Sequence, residues 1–174
     1  DSGASPDSER DPLSIPGEVK ASIRVLVVDD ERTLRESCAS VLQMDGYNVT
    51  VMGRGEEALE TVRRRKFDII LVDLYMSQVS GIEILRAALD AYRDTIVVVM
   101  TGNPSVTSRI EALRAGADGF LLKRARPAEI VHAVRLVAEG ESLLFPASVR
   151  QLAAQYGDDG GNPAGGAGVE RGRL

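Results

Sequence analysis

The sequence predicts a doubly wound α/β domain, a five-stranded parallel sheet with helices on both faces, from about residue 23 to residue 140. Two observations carry this. Five short runs of apolar and β-branched residues recur along the chain: IRVLVV (23–28), YNVTVM (47–52), DIILV (68–72), TIVVVM (95–100) and GFLL (119–122). Between them lie segments of helical length with their own start and stop signals, and such alternation implies right-handed crossovers.

Residues 1–22 are rich in Ser, Asp, Pro and Glu without periodicity and are expected to be a flexible extension. After the first strand, TLRESCASVLQMDG sets Leu34, Cys38, Val41 and Leu42 on one face, with Gly46 placed to stop the helix. The second helix ends in RRRK (63–66), where cations complement the helix dipole and stay solvated, a better reading than nucleic-acid contact. Ser80 and Glu83 form a capping box ahead of ILRAALDAY, and Pro104 and Pro127 sit where a first helical turn tolerates proline. Residues 141–156 are expected to hold one more short helix, and the glycine-rich residues 157–174 a linker or tail.

With 174 residues, 44% of them hydrophobic and 27% charged, the chain suits one globular domain with tails. Its net charge of −5 argues against nonspecific attraction to nucleic acid or to an anionic membrane. No apolar run approaches the roughly 20 residues of a membrane span. Cys38 is the single cysteine, so no disulfide framework exists and a cytoplasmic location is expected. Cys38 reads as a buried inert thiol, and the lone His132, off the apolar stripe of Ile130 and Val134, as a surface side chain.

In an open sheet of this kind the functional crevice lies beyond the carboxyl ends of the strands. The first strand there ends in Asp29 and Asp30, the third in Asp73, the fourth in Thr101 and Gly102, and the fifth in Lys123. One such aspartate is as readily a helix cap or turn former, but four polar strand ends converging on one edge are not coincidence. Three carboxylates close together must take up protons or share a cation. An all-oxygen set with few protein ligands and room for water favours Mg²⁺ over Ca²⁺. An acidic Mg²⁺ site beside a lysine suits phosphoryl transfer, with Asp73, the central carboxylate, as nucleophile forming an acyl phosphate.

VLVVDDE, IILVDLYMS, VVVMTG and GADGFLLK, in this order and spacing, resemble the receiver domain of two-component response regulators over residues 23–140. The resemblance implies a flavodoxin-like (CheY-like) strand order 2-1-3-4-5. It implies Asp73 as phosphoacceptor, supplied by a sensor histidine kinase or a small phosphodonor. Asp30, Asp73 and the backbone carbonyl of Tyr75 would ligate Mg²⁺, with Asp29 acting largely through water. Lys123 would contact the phosphoryl group, Thr101 would turn to hydrogen-bond it, and Phe120 would be the aromatic switch. Tyr75 and Asn103, two residues beyond Asp73 and Thr101, would tune slow self-dephosphorylation. Ser77 and Arg124 stand where the family usually has proline.

The segment KRARPAEIVHAVRLVAEGESLLFPASV is similar to the NarL/LuxR-type subgroup, which carries a helix-turn-helix domain, whereas MTGNPSVTSRIEALRAGA is closer to receivers of the NtrC group. The implied function is the regulatory part of a transcription factor, not an enzyme, with no DNA binding by this chain alone and phosphorylation-dependent self-association. The alternative is a stand-alone receiver or a phosphorylation-independent binding module, but such modules typically lose an acidic residue, the Thr or the Lys, all present here. Other classes fit worse. A haloacid-dehalogenase-like phosphatase wants an aspartate where Tyr75 stands, a flavin binder a phosphate loop where DDERT stands, and a P-loop enzyme a GxxxxGK that is missing.

Overall fold

The computed structural model describes residues 16–139 apart from Pro104. In chain order the elements are α1 (Gly17–Ser22), β1 (Arg24–Val28), α2 (Arg32–Met44), β2 (Asn48–Met52), α3 (Gly55–Arg64), β3 (Ile69–Asp73), α4 (Gly81–Ala91), β4 (Ile96–Thr101), α5 (Val106–Ala115), β5 (Gly119–Leu122) and α6 (Pro127–Ala138). The five strands form one sheet in the order β2-β1-β3-β4-β5, and every pairing is parallel.

Successive side chains of a strand point to opposite faces, so each apolar strand feeds two cores. Leu26, Val28, Ile70, Val72, Val97 and Val99 join Ala58, Val62, Ile84, Leu85, Leu89 and Ala112 from α3, α4 and α5. The alternate residues Val25, Val27, Ile69, Leu71, Val98 and Met100 meet Cys38 and Leu42 of α2 and Ile130, Val134 and Val137 of α6. The central strand β3 is buried along its whole length, which is why IILV runs without alternation.

The punctuation read from the sequence has local causes visible in the chain. Ser80 Oγ accepts from Ile82 N–H, and the Glu83 carboxylate accepts from Ser80 N–H in return, so the capping box closes at α4. Gly46 has φ of 103°, as does Gly116 at the end of α5, a backbone that favours glycine. Pro127 opens α6. The start of α5 differs from the expectation placed on Pro104, which lies outside the described residues. Ser105 is the N-cap instead, its hydroxyl accepting from Ser108 N–H at 3.0 Å.

A second difference lies at the N-terminal side. The last six residues of the expected flexible extension, 17–22, form α1. Six residues do not sustain a helix alone, so tertiary contacts must hold them. Lys20 is buried, with its ammonium 3.2 Å from Asp45 Oδ2 and lying over the Tyr47 ring. Arg135 of α6 donates to the same Asp45, from Nε at 3.1 Å. Asp45 therefore ties α1, the α2–β2 turn and α6 together. Residues 1–15 and the expected 141–156 helix and 157–174 linker lie outside the described residues.

Two stability predictions follow from these contacts. A Cβ at Gly81 would overlap the backbone of Asp73, so Gly81→Ala is expected to cost about 1–3 kcal/mol in urea unfolding. A wild-type midpoint would show that the two backbones do not approach so closely. Burial alone would raise the Asp45 carboxyl, but Arg135 and Lys20 outweigh it and hold it below the usual carboxylate range. A depressed folded value stabilises above the unfolded pKa and is lost as pH falls through the folded one. Asp45→Asn is accordingly expected to cost about 2 kcal/mol near neutral pH, a difference that closes in acid. An equal penalty at all pH values would mean that packing, not charge, is what Asp45 supplies.

Candidate functional site

The carboxyl ends of β1, β3, β4 and β5 meet at one edge of the sheet, and each delivers a polar side chain there. Asp29 follows β1 and is fully buried, Asp73 ends β3 with 1% exposure, and Thr101 ends β4 fully buried. Lys123 follows β5, held by its own N–H donating to Thr101 O at 2.9 Å. Asp30 is exposed at the rim. One carboxylate oxygen from each of Asp29, Asp30 and Asp73 lies within 4.8 Å of the others.

Lys123 Nζ is 2.8 Å from Asp73 Oδ2, 3.1 Å from Glu31 Oε2 and 3.3 Å from Asp29 Oδ1. The backbone contributes further donors: Tyr75 N–H to Asp73 Oδ1 at 3.2 Å, and Glu31 N–H to Asp29 Oδ1 at 2.8 Å. Asp29 Oδ2 and Asp73 Oδ2 nevertheless have no well-directed hydrogen bond, the latter facing the lysine ammonium as a bare ion pair. Buried polar atoms left this way carry a desolvation cost that a ligand can relieve.

The electrostatics reflect a surplus of carboxylates around one ammonium. Burial pushes the Asp73 carboxyl up to about 6, with Lys123 pulling it down and Asp29 pushing it up. Asp29 is likewise raised, first by burial. Burial would lower Lys123, but the ion pair with Asp73, the hydrogen bond to Glu31 and the charge of Asp29 reverse the sign and raise it. Both partners of the Lys123–Asp73 pair thus rise, Asp73 first through burial and Lys123 through the carboxylates around it.

Thr101 does not reach the acidic cluster. Its Oγ1 accepts from Asn103 N–H at 3.2 Å, a turn closed on its own backbone. Phe120 pairs with Val99 and Leu122 with Thr101 in the β4–β5 register, so Thr101 and Phe120 share a face of the sheet. Phe120 is half-buried, with the Arg109 guanidinium of α5 5.5 Å from its ring centroid. Tyr75 is 59% exposed, but its hydroxyl is 2.8 Å from Ser108 Oγ, which in turn is 2.7 Å from Ser105 Oγ. Glu31, Asp73, Tyr75, Asn103, Lys123 and Arg124 line an open cavity of about 540 Å³ over the site. His132 is exposed and Cys38 buried, its thiol pushed up to about 11 by burial and then by the Asp29 charge.

Four contributors were missed in the sequence. Glu31 sits beside the aspartate pair, but its contact with Lys123 spans 92 positions. Arg35 Nη1 donates to Asp29 O at 2.8 Å, Gly81 abuts the Asp73 backbone, and Ser108 anchors Tyr75. Only Glu31 carried a local signal, a third acid in DDE. Among the described residues the peptide after Lys123, like every other, is trans, and Gln78 in the loop before α4 has φ of 73°.

An all-oxygen set with two unbonded buried carboxylate oxygens is chemically fit for a hard divalent cation. Comparison with known proteins places the chain in a family. Residues 25–135 match the family described as "Response regulator receiver domain". Response regulator MprA of Mycobacterium ulcerans is 32% identical over 137 residues, 79% of this chain and 59% of that protein, so the chain spans little more than half of this relative. The receiver domain of the response regulator NarL from Mycobacterium tuberculosis is 32% identical, with a TM-score of 0.61 over 68% of this chain and 98% of that one. A response regulator from Burkholderia pseudomallei, solved with a phosphorylated aspartic acid, calcium ion and citrate, is 25% identical, with a TM-score of 0.60 over 80% of this chain and 75% of that one. With its strand order, its polar strand ends and a family match over most of the described residues, the chain belongs to the response regulator receiver domains, the signalling modules of two-component systems.

Proposed function

We propose that this receiver is a phosphorylation switch whose acceptor is Asp73. The observation that carries the reading is a buried carboxylate at the end of the central strand, with an unbonded oxygen facing a lysine ammonium at 2.8 Å and opening on a cavity. An Asp73 oxygen attacks the phosphorus of a phosphohistidine on a sensor histidine kinase or of a small acyl phosphate. The bond from phosphorus to the donor's nitrogen or oxygen breaks, and its electron pair leaves with the donor. Lys123 stabilises the charge on the phosphoryl oxygens.

Asp29, Asp30, Asp73 and the Tyr75 backbone carbonyl are the residues that would hold Mg²⁺. When bound, the ion neutralises the crowded carboxylates and the phosphoryl oxygens. The exposure of Asp30 leaves room for the waters that Mg²⁺ would keep.

Phosphorylation would draw the Thr101 hydroxyl from Asn103 towards the new anion, and Phe120, on the same face, would follow the space it leaves. That requires the phosphoryl group to favour the active conformer by several kcal/mol, about what charge-assisted hydrogen bonds from Thr101 and Lys123 can supply. The output surface would be α5–β5–α6 or a pairing of α2 with α6, with weak self-association of the phosphorylated form. A place in a transcription regulator of the cytoplasm is the context we favour, supported for transcription by the likeness to Transcriptional regulatory protein DegU of Brevibacillus brevis, 31% identical over 136 residues. Among the described residues no helix is long and apolar enough to cross a membrane.

Intact mass after acetyl phosphate and Mg²⁺ tests the reading: one added phosphoryl group is expected on the unsubstituted chain and none on Asp73→Asn, which keeps the size but not the nucleophile. Labelling of the variant at the wild-type rate would remove Asp73 from its role. Tyr75, tied to Ser108 across the cavity mouth, would shield the acyl phosphate from water. Tyr75→Ala is therefore expected to shorten the lifetime of the phosphorylated form severalfold, and unaltered decay would count against shielding.

A further inference from the structure

Lys123 is the cation nearest to Asp73, yet it is already committed. Its ammonium is divided among Asp73, Glu31 and Asp29 at 2.8, 3.1 and 3.3 Å. With Asp30 beside them, four carboxylates face one ammonium, and a dianionic phosphodonor entering this space meets excess negative charge. A hard cation held by Asp29, Asp30 and Asp73 would offset part of that excess. The donor still has to approach across the cavity.

Arg124 lines that cavity together with Asp73, Tyr75 and Asn103. It is exposed, and no carboxylate among the described residues pairs with it. Of these two cations lining the cavity, Lys123 thus has three carboxylate partners and Arg124 none among the described residues. A guanidinium presents a planar fork of donors matched to two oxygens of a phosphoryl group, and it stays charged at every relevant pH. We propose that Arg124 is a specificity-determining residue, the cation that recognises the phosphodonor and makes this site select dianionic acyl phosphates over less charged donors.

The inference rests on Asp73 being the acceptor. Arg124 pairs with nonbridging oxygens of the donor while an Asp73 oxygen bonds to phosphorus, the phosphorus–oxygen bond to the acyl group breaks, and the carboxylate leaves with the electron pair. Lys123 keeps its carboxylates until the new phosphoryl group displaces Glu31 from it. Glu31 is the partner most easily given up, since its side chain is 66% exposed whereas those of Asp29 and Asp73 are buried.

The test compares the full chain with Arg124→Gln and Arg124→Lys in Mg²⁺, following phosphorylation by intact mass against two donors: acetyl phosphate, a dianion at pH 8, and phosphoramidate, which carries less net negative charge. The Gln variant is expected to raise the half-saturating concentration of acetyl phosphate about fivefold, with little change in the maximal rate and a smaller effect on phosphoramidate. The Lys variant should recover part of the loss, and high salt should shrink the difference. Unchanged kinetics with acetyl phosphate, or an equal loss with both donors, would overturn the role of Arg124. Failure of the unsubstituted chain to label with either donor would instead overturn Asp73 as acceptor.

Discussion

The ion pair between Lys123 and Asp73 constrains the whole carboxyl edge of the sheet. Asp73 and Asp29 are almost completely removed from water, where a lone carboxylate would give up its charge. The lysine lets them keep it, and the geometry demands that the end of β5 reach across β4 to the ends of β3 and β1. Burial raises Asp73 and Asp29, and one ammonium shared among three carboxylates does not bring them back down. The site is therefore held together and left electrostatically incomplete by the same contact. Such a pair adds little net stability, but removing either partner strands a buried charge.

That tension is tolerable because the scaffold beneath is rigid. Both faces of the sheet are packed, and the central strand has no solvated side. The backbone near the site is fixed by contacts with no chemistry of their own. Arg35 holds the Asp29 carbonyl, and Gly81 lets α4 begin against the Asp73 backbone. At the opposite edge, Asp45 gathers Lys20 and Arg135 into a second charged knot. There two cations meet one carboxylate, the reverse of the imbalance at the site, and Asp45 is correspondingly held ionised.

The connections from the site to its surroundings are of a different strength. Thr101 is closed on the Asn103 backbone, Tyr75 reaches Ser108 in the first turn of α5, and Arg109 of the same helix covers Phe120. Each is a neutral hydrogen bond or a cation–ring contact worth about 1 kcal/mol. Helix α5 is where they converge, and few buried side chains anchor it: Ser108, Ala112 and Ala115. A helix held by small residues and weak polar ties can be displaced without unfolding the sheet.

The strands were legible in the sequence because burial on both faces leaves continuous apolar runs, and the helix limits because caps such as Ser80 with Glu83 and stops such as Gly46 act within a few residues. The strand order followed from the resemblance, and the meeting of Asp29, Asp30, Asp73 and Lys123 at one edge from the rule that parallel strands end together. What the sequence could not decide were contacts whose energy comes from partners far along the chain. A polar six-residue stretch became α1 because Asp45 neutralises a lysine buried on the domain. Glu31 joined the site because Lys123 arrives beside it, and Tyr75 gained an anchor because α5 brings Ser108 within 2.8 Å. Local pattern dictates which way a side chain faces, whereas only the folded sheet dictates what it meets there.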